Sequence, residues 1–245
     1  MPPASRQIAE NLARIRERID LAVLRAGRRP EDITLVAVSK THPAEKIRDL
    51  YEAGVSHFGE NRVQEREAKS AQLTDLDITW HMIGHLQKNK AARAADLFDT
   101  IDSVDSVALA EKLNQARNAL ATESSNRSFS RNPLGLLLEV KLDPESAKSG
   151  VAPDESQRIG EAILRLACLD LRGLMGVPPY FDDPEQARPY FRRLRELRDV
   201  LTAHLGASRL PVLSMGMSHD FEVAIEEGAT QVRIGTALFG EREKT

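Results

Sequence analysis

The sequence contains little cysteine and no excess of charge of either sign. Its one cysteine, Cys168, excludes an intramolecular disulfide and cannot by itself build a zinc cluster. Cys168 lies in an apolar run, and we predict a small core residue there. The chain carries 34 basic and 37 acidic residues, for a formal net charge of -3. A phosphate-backbone binder needs a basic excess, so nucleic acid is not an expected partner.

Long apolar runs are also absent. None approaches the roughly 20 residues that cross a bilayer, so we expect no membrane segment. The arginine-rich N-terminus carries acidic residues as well, and it lacks the uninterrupted apolar stretch of a secretory signal. These absences predict a cytoplasmic protein.

Hydrophobic residues nevertheless make up 41% of the 245 residues, which is enough to fill a substantial core. The opening segment is predicted to form an amphipathic helix that Gly27 and Pro30 end. Its apolar residues recur at helical spacing, at Ile8, Leu12, Ile15, Ile19 and Val23. This helix lies outside the repeated pattern that follows.

Eight short apolar runs then alternate with helical stretches. The first, 33–38, is the near-continuous run typical of a strand covered on both faces, and a helix over about 43–54 follows it. The other runs are 56–58, 79–83, 98–101, 134–140, 171–177, 210–213 and 231–234. Clear helical stretches lie at 107–120 and 189–204.

This alternation predicts βαβ units, and eight strands predict a closed (β/α)8 TIM barrel of the α/β class with an extra N-terminal helix. We expect residues 1–245 to form one domain. A doubly wound open sheet is the rival. It calls for a glycine-rich nucleotide loop, and neither G-x-G-x-x-G nor G-x-x-x-x-G-K-[ST] occurs. The polar stretch 121–132 is predicted to be a surface loop before the fifth strand.

The active site of such a barrel lies at the carboxyl ends of the strands, and Lys40 stands at the end of the first. A lysine that leaves an apolar run can be a desolvated amine that forms a Schiff base; it can equally be a solvated surface residue. The segment 214–218 (SMGMS) follows the seventh strand, and Gly235 and Thr236 follow the eighth. These two loops form the recurrent phosphate site of the fold, although two ordinary helix starts have the same pattern.

Closure of the barrel joins these two features. Strand eight pairs with strand one in a closed barrel, so we expect Lys40 to lie beside Gly235 and Thr236. An amine that forms Schiff bases next to a phosphate site predicts a phosphorylated aldehyde as the ligand. Pyridoxal 5′-phosphate (PLP) and a sugar phosphate both meet that description.

Other polar residues are weaker candidates. His81 and His85 lack the helical register and the acidic partner of a zinc pair, so no metal site is predicted. The side chains of 218–220 (SHD) cannot converge as a hydrolase triad, because they are consecutive. Asp102 and Asp105 could serve as acids, although we expect Asp105 to cap the following helix.

Five stretches carry a family resemblance: 36–41 (VAVSKT), 58–65 (FGENRVQE), 80–90 (WHMIGHLQKNK), 214–218 (SMGMS) and 233–240 (RIGTALFG). They resemble the pyridoxal phosphate homeostasis proteins, the YggS/PROSC family, whose barrel is similar to the N-terminal domain of alanine racemase. The stretches span most of the chain, and the third is highly specific to the family. The segment 121–132 looks like a variable insertion.

The resemblance implies PLP as the cofactor and Lys40 as the residue that carries it as an aldimine. It also implies that Arg233 lies near the pyridine nitrogen and that Asn61 contacts the ring. The residues implied around the phosphate, partly through backbone N–H groups, are Ser214, Met217, Ser218, Gly235 and Thr236. An arginine at the ring nitrogen disfavours protonation of that nitrogen, so the ring is a poorer electron sink than one that faces a carboxylate. That property suits storage or delivery.

Three functions remain open at this point. The first is a non-catalytic protein that holds PLP and passes it to PLP-dependent apo-enzymes, as a monomer or weak dimer. The second is a PLP-dependent racemase or decarboxylase. Racemisation needs a base on each face of the substrate carbon, and we expect the second domain that supplies one in the racemase relatives to be absent, because the sequence ends soon after Gly240. The third is a Schiff-base aldolase, for which only Lys141 offers a further acid-base residue.

Overall fold

The structure is a computed structural model that describes residues 3–123, 133–143, 150–206 and 210–240. Its strands are all parallel, each is hydrogen-bonded to the next along the chain, and β8 closes on β1. The strands are β1 (Thr34–Val38), β2 (His57–Glu60), β3 (Thr79–Met82), β4 (Thr100–Val104), β5 (Leu134–Val140), β6 (Leu169–Gly176), β7 (Val212–Met217) and β8 (Gln231–Ile234). The predicted (β/α)8 barrel is confirmed.

Helices cover the outside of the barrel. They are α1 (Pro3–Arg25), α2 (Ala44–Glu52), α3 (Val63–Lys69), α4 (Ala91–Leu97), α5 (Val107–Glu123), α6 (Ser156–Ile163), α7 (Arg188–Leu205), α8 (Phe221–Glu226) and α9 (Thr236–Phe239). The extra helix α1 precedes β1 as predicted, and it packs on α2, α8 and α9. Within the described ranges, no helix combines the length and apolar character that a membrane crossing requires.

The apolar stripe predicted for α1 is buried at all five of its positions. The helix ends where Gly27 adopts a left-handed conformation (φ 64°), so that the N–H of Arg28 donates to the carbonyl of Val23 at 2.8 Å. On the same helix, Nδ2 of Asn11 donates to the carbonyl of Leu238 at 2.8 Å. This bond fixes α9, the short helix after β8, against α1.

The apolar runs located every strand but ended three of them two or more residues too early. β2, β4 and β7 continue past residues 58, 101 and 213 to Glu60, Val104 and Met217. The added residues include Glu60, Asp102 and Ser214, all of which are buried. A hydrophobic pattern cannot find such residues, because their burial depends on polar partners that other strands and helices supply.

Three local predictions are wrong. Cys168 is partly exposed and is not a core residue. Residues 121–123 complete α5, and the remainder of the predicted loop, 124–132, lies outside the described residues. Asp105 does not cap α5. Oγ of Ser106 accepts a hydrogen bond from the N–H of Leu109 at 3.3 Å, so Ser106 is the cap.

The core has two parts of different composition. An outer layer of apolar side chains fills the space between the sheet and the helices, and its largest fully buried members include Phe58, Phe98, Phe191 and Phe221. The barrel interior holds a polar group of buried side chains, namely His81, Asp102, Ser214, Gln231 and Arg233. Gln231 on β8 donates to Asp102 on β4, and these strands lie on opposite sides of the barrel, so the bond crosses the interior.

Candidate functional site

The carboxyl ends of β1 and β8 lie side by side. In the ladder between the two strands, Ala37 of β1 is paired with Ile234 of β8. Beyond the strands, a Cβ added to Gly235 would lie 3.4 Å from Cβ of Val38, and the rings of His42 and Phe239 stack with centroids 4.5 Å apart. The turn that carries Lys40 therefore packs on α9, as closure of the barrel predicts.

The residue before Lys40 is held by a buried ion pair. Oγ of Ser39 donates to Oε1 of Glu60 at 2.7 Å, and Nζ of Lys69 donates to the same oxygen at 2.6 Å and to the carbonyl of Ser39 at 2.9 Å. Burial raises the pKa of Glu60, against the opposing effects of Lys69 and Ser39. The other carboxylate oxygen, Oε2, is buried and has no hydrogen-bond partner among the described residues. Lys40 thus follows a backbone position that the charge on Glu60 helps to hold.

The residue after Lys40 is held by α3 as well. Thr41 has a positive φ of 66°, which is unusual for a β-branched residue. Its N–H donates to Oε2 of Glu65 at 2.8 Å, and the N–H of His42 donates to the carbonyl of Ser39 at 3.1 Å. These bonds close a tight turn around the partly buried Lys40. Since α3 supplies both Glu65 and Lys69, that helix sets the position of the lysine backbone.

The loops after β7 and β8 meet beside this turn. Oγ of Ser218 accepts a hydrogen bond from the N–H of Ala237 at 3.3 Å, which joins the two loops. Gly235 is the residue before α9, and Thr236 is its first residue. The N–H of Ala237 is thus engaged, and those of Leu238 and Phe239 donate to the carbonyl of Gly235 at 2.9 and 3.0 Å. An anion at this end of α9 therefore has the N–H groups of Gly235 and Thr236 as its candidate donors. The two predicted phosphate loops are therefore brought together, and we name them the anion cradle (Ser218, Gly235 and Thr236).

The loop after β7 depends on a glycine and an aspartate. Gly216 has a φ of 92°, and a Cβ added there would lie 2.6 Å from Cβ of Ala224, so a larger residue would displace the loop. The N–H of Met217 donates to Oδ1 of Asp220 at 2.7 Å. The backbone donor of Met217 is thus engaged within its own loop, and 38% of the residue is exposed at the surface.

Arg233 lies beneath the cradle with only 4% of its surface exposed. Its Nη1 donates to Oγ of Ser214 at 2.6 Å, and its Nη2 donates to the carbonyl of Gly176 at 3.0 Å. Burial lowers the pKa of Arg233, and the charges of Asp102 and Asp220 oppose that effect. An arginine keeps its proton at neutral pH, so a buried cation stands here. The hydroxyl of Ser214 is engaged with this cation and not with the start of α9.

Asn61 follows β2 and lines a cavity of about 640 Å³ at the carboxyl ends of β2 and β3. The loop after β3 packs closely on it, because a Cβ added to Gly84 would lie 2.8 Å from Cα of Asn61. Glu65, which holds Thr41, lines the same cavity. Asn61 is therefore near the Lys40 turn, on the side away from β8.

A polar network inside the barrel is the part of the site that sequence reasoning missed. Nε2 of Gln231 donates to Oδ2 of Asp102 at 2.7 Å and to Oγ of Ser214 at 2.9 Å. Thr100 donates to Oδ1 of Asp102 at 2.7 Å, and Nδ1 of His81 lies 3.2 Å from Oδ2. Burial opposes ionisation of Asp102, but His81, Thr100 and Gln231 outweigh burial and lower its pKa. Asp102 is therefore held as an anion and is unsuited to the acid role predicted for it.

The network reaches the amino end of the barrel at His57. Nδ1 of His57 lies 3.0 Å from Nε2 of His81. Burial lowers the pKa of His57 to about 4, and the charge of His81 acts in the same direction. The described part of the chain contains no group of His, Cys, Asp and Glu that could hold a metal ion.

An alternation of polar residues could have revealed the network. Gln231 and Arg233 are two apart on β8, and Thr100 and Asp102 are two apart on β4. Residues two apart share a face of a strand, so both sets point to one side of the sheet. The apolar residues between them hide this second pattern when only hydrophobicity is read.

The fold, the lysine at the end of the first strand and the cradle at the end of the last define a barrel of the alanine racemase class. The family model described as "Alanine racemase, N-terminal domain" matches residues 7–243. The structure of alanine racemase from Clostridium difficile superposes with a TM-score of 0.73 at 14% identity, covering 97% of this chain and 57% of that one. This likeness concerns the fold alone.

More similar relatives identify the family within that class. The pyridoxal phosphate homeostasis protein of Aquifex aeolicus is 48% identical over 235 residues, which cover 96% of this chain and 98% of that protein. The protein of the same name from Escherichia coli K12 is 41% identical over 243 residues, covering 96% and 97%. PipY of Synechococcus elongatus, solved with PLP bound, has a TM-score of 0.81 at 41% identity and covers 95% of this chain and 100% of its own. The chain belongs to the pyridoxal phosphate homeostasis protein family.

Proposed function

We propose that this protein binds PLP as a Schiff base on Lys40 and takes part in PLP homeostasis and in delivery of PLP to apo-enzymes. The observation that carries the proposal is the packing of the Lys40 turn on α9, through the stacked rings of His42 and Phe239. The PLP-bound structure of PipY and the name shared by the relatives support the same ligand.

The residues at this end of the barrel fit the chemistry of PLP. PLP would supply an aldehyde here, which the amine of Lys40 would bind reversibly with the loss of one water and release with the uptake of one. The hydroxyl of Ser218 and the N–H groups of Gly235 and Thr236 bind the phosphate. A reversible covalent bond and an anion site together allow the protein to bind PLP tightly and still release it.

Arg233 favours a carrier over a catalyst. Its guanidinium donates to the pyridine nitrogen and disfavours a proton there, which makes the ring a weak electron sink. Asn61 contacts the ring from the β2 side. We therefore propose no catalytic residue and no turnover of amino acids.

The direct experiment is borohydride reduction of the PLP-loaded protein followed by peptide mapping. Hydride adds to the carbon of the Schiff base and leaves a stable pyridoxyl group on the lysine. We expect this group on Lys40, and we expect Lys40→Ala to abolish the PLP-dependent absorption band. Lys88→Ala, which changes an exposed lysine, is the matched control and should keep the band. A pyridoxyl group on another lysine contradicts the proposal.

The racemase alternative has its own test. We expect the loaded protein to leave the optical rotation of L-alanine unchanged over many equivalents of substrate. Sustained loss of rotation that depends on Lys40 would establish an enzyme. A protein that stays colourless with PLP but cleaves a sugar phosphate would establish the aldolase.

The remaining expectations stay predictions. They are a cytoplasmic location, a monomer or weak dimer, one domain over residues 1–245 and the identity of the recipients as PLP-dependent apo-enzymes. Sedimentation of the purified chain at several concentrations checks the oligomeric state.

A further inference from the structure

Arg233 is connected to the opposite side of the barrel by a short series of hydrogen bonds. Its Nη1 donates to Ser214 at 2.6 Å, and Gln231 donates both to Ser214 at 2.9 Å and to Asp102 at 2.7 Å. Asp102 lies on β4, whereas Gln231 and Arg233 lie on β8. The orientation of Arg233 is thus linked to a carboxylate across the barrel.

The direction of these bonds is fixed by their chemistry. Nε2 of Gln231 has two hydrogens, and its two contacts are a carboxylate oxygen and a hydroxyl oxygen that already accepts from Arg233. Rotation of the amide by 180° would place its carbonyl oxygen against the Asp102 carboxylate, and the two would repel each other. The anion therefore holds Gln231 in one orientation, and Gln231 in turn holds the hydroxyl that receives Arg233.

The charges of the two ends are complementary. Asp102 is 1% exposed and Arg233 is 4% exposed, so neither charge is solvated by bulk water. Asp102 also accepts from Thr100 at 2.7 Å, which leaves a carboxylate with donors on both oxygens. A buried cation and a buried anion offset part of the cost of burying each other.

We propose that Asp102 and Gln231 are positioning residues that hold the Arg233 guanidinium in the orientation that donates to the ring nitrogen of the bound cofactor. This inference rests on the proposed function, because it takes PLP as the ligand and Arg233 as the partner of its ring nitrogen. Asp102 and Gln231 are both buried. Their effect passes through Ser214 and Arg233.

The test compares PLP with its 1-deaza analogue, which keeps the aldehyde and the phosphate but has carbon in place of the ring nitrogen. The wild-type protein is expected to prefer PLP, since only PLP accepts from Arg233. Asp102→Asn removes the negative charge and leaves one acceptor oxygen for the two donors, Thr100 and Gln231, and Gln231→Leu removes the bridge. In both variants we expect weaker binding of PLP and little change for the analogue. The dissociation constant of the analogue divided by that of PLP should therefore fall about tenfold.

Two control variants change polar side chains that have no hydrogen bond to Asp102, Gln231, Ser214 or Arg233. Asp99→Asn changes a carboxylate that accepts from the N–H of Trp80 at 2.7 Å, and Thr230→Val removes a hydroxyl that accepts from the N–H of Leu213 at 2.8 Å. Both should lower the melting temperature and leave the ratio unchanged. A loss of general stability moves both dissociation constants together, so the ratio separates positioning from a merely structural role.

The outcomes distinguish this inference from the proposed function. If Lys40→Ala abolishes PLP binding while Asp102→Asn and Gln231→Leu keep the wild-type ratio, the inference is overturned and the proposed function stands. If the wild-type protein binds no PLP, both are overturned. Should Gln231→Leu fail to fold, Ser214→Ala, which removes one hydroxyl, tests the same link and has the same expected ratio.

Discussion

The outer layer and the barrel interior are both buried, yet they are held together differently. In the outer layer the contacts are between apolar side chains, so stability depends on volume and on apolar area removed from water. In the barrel interior each polar group is stable only because particular partners face it, as Gln231 faces Asp102. The outer layer therefore supplies stability, and the interior supplies the geometry of the site.

The largest expected effect is in the outer layer. Phe191 on α7 is fully buried among apolar residues, and Phe191→Ala should lower the free energy of unfolding by about 3 to 5 kcal/mol through lost burial and a cavity. Urea unfolding measures the loss. Leu24→Ala, at a residue that is 74% exposed, is the control and should cost under about 0.5 kcal/mol. If the folded Phe191→Ala protein had lost its preference for PLP over the 1-deaza analogue, the outer layer would also determine the geometry of the site, and the distinction between the two regions would be wrong.

The next effect tests a polar pair that lies outside the barrel interior. Lys69→Met replaces a buried cation by an apolar side chain of similar length and leaves the Glu60 carboxylate without a cationic partner, with the hydroxyl of Ser39 as its remaining donor. We expect a loss of about 3 kcal/mol at pH 8. If apolar replacement were tolerated here as elsewhere in the outer layer, the loss would be near zero.

This loss should depend on pH, because burial raises the pKa of Glu60 above its ordinary value of 4.5. Between pH 4.5 and the raised pKa, Glu60 of the variant holds a proton in the native state that it does not hold in the unfolded chain. The free energy of unfolding of the variant therefore falls as pH rises through this range. Unfolding at pH 5 and pH 8 measures the difference, and the loss should be smaller at pH 5. The double variant with Glu60→Gln should lose most of this dependence.

A smaller effect concerns the amino end of the polar network. The pKa of His57 is about 4 in the native state against 6.5 ordinarily, so between these values the unfolded chain binds the proton and the native state does not. Stability should therefore fall as pH falls from 6.5 towards 4. His57→Asn should reduce that slope in urea unfolding at a series of pH values. An unchanged slope would show that other groups cause it.

The smallest effect is at the surface, outside both regions. Arg6 and Glu10 form an ion pair with side chains that are 78% and 53% exposed. Arg6→Ala should change the free energy of unfolding by less than about 0.5 kcal/mol, since water and salt screen such pairs. Urea unfolding at low and high salt checks this, and a larger loss would show that α1 depends on this pair.

Much of the outer layer was predictable, because hydrophobic periodicity reports burial directly. The stripe of α1 and the positions of all eight strands follow from apolar spacing alone. The ends of β2, β4 and β7 were missed, since Glu60, Asp102 and Ser214 are polar residues whose burial depends on partners distant in the chain. The sequence pattern also allows an acid role for Asp102, because the partners that hold it as an anion are distant in the chain.

For the site, closure of the barrel correctly placed the turn that carries Lys40 against α9, because that placement needs only the number and order of the strands. The roles of Ser214 and Met217 needed more, since a hydrogen bond to Arg233 and another to Asp220 decide where their polar groups are used.

The sequence by itself determined the barrel, the extra helix and the packing of the Lys40 turn on α9, because the apolar period is a local property and the number of strands fixes which two of them close the barrel. Only the tertiary structure decided which buried polar side chains meet inside the barrel. Gln231 and Asp102 are far apart in the chain, and a hydrogen bond forms between such residues only when the fold brings a donor and an acceptor within about 3 Å.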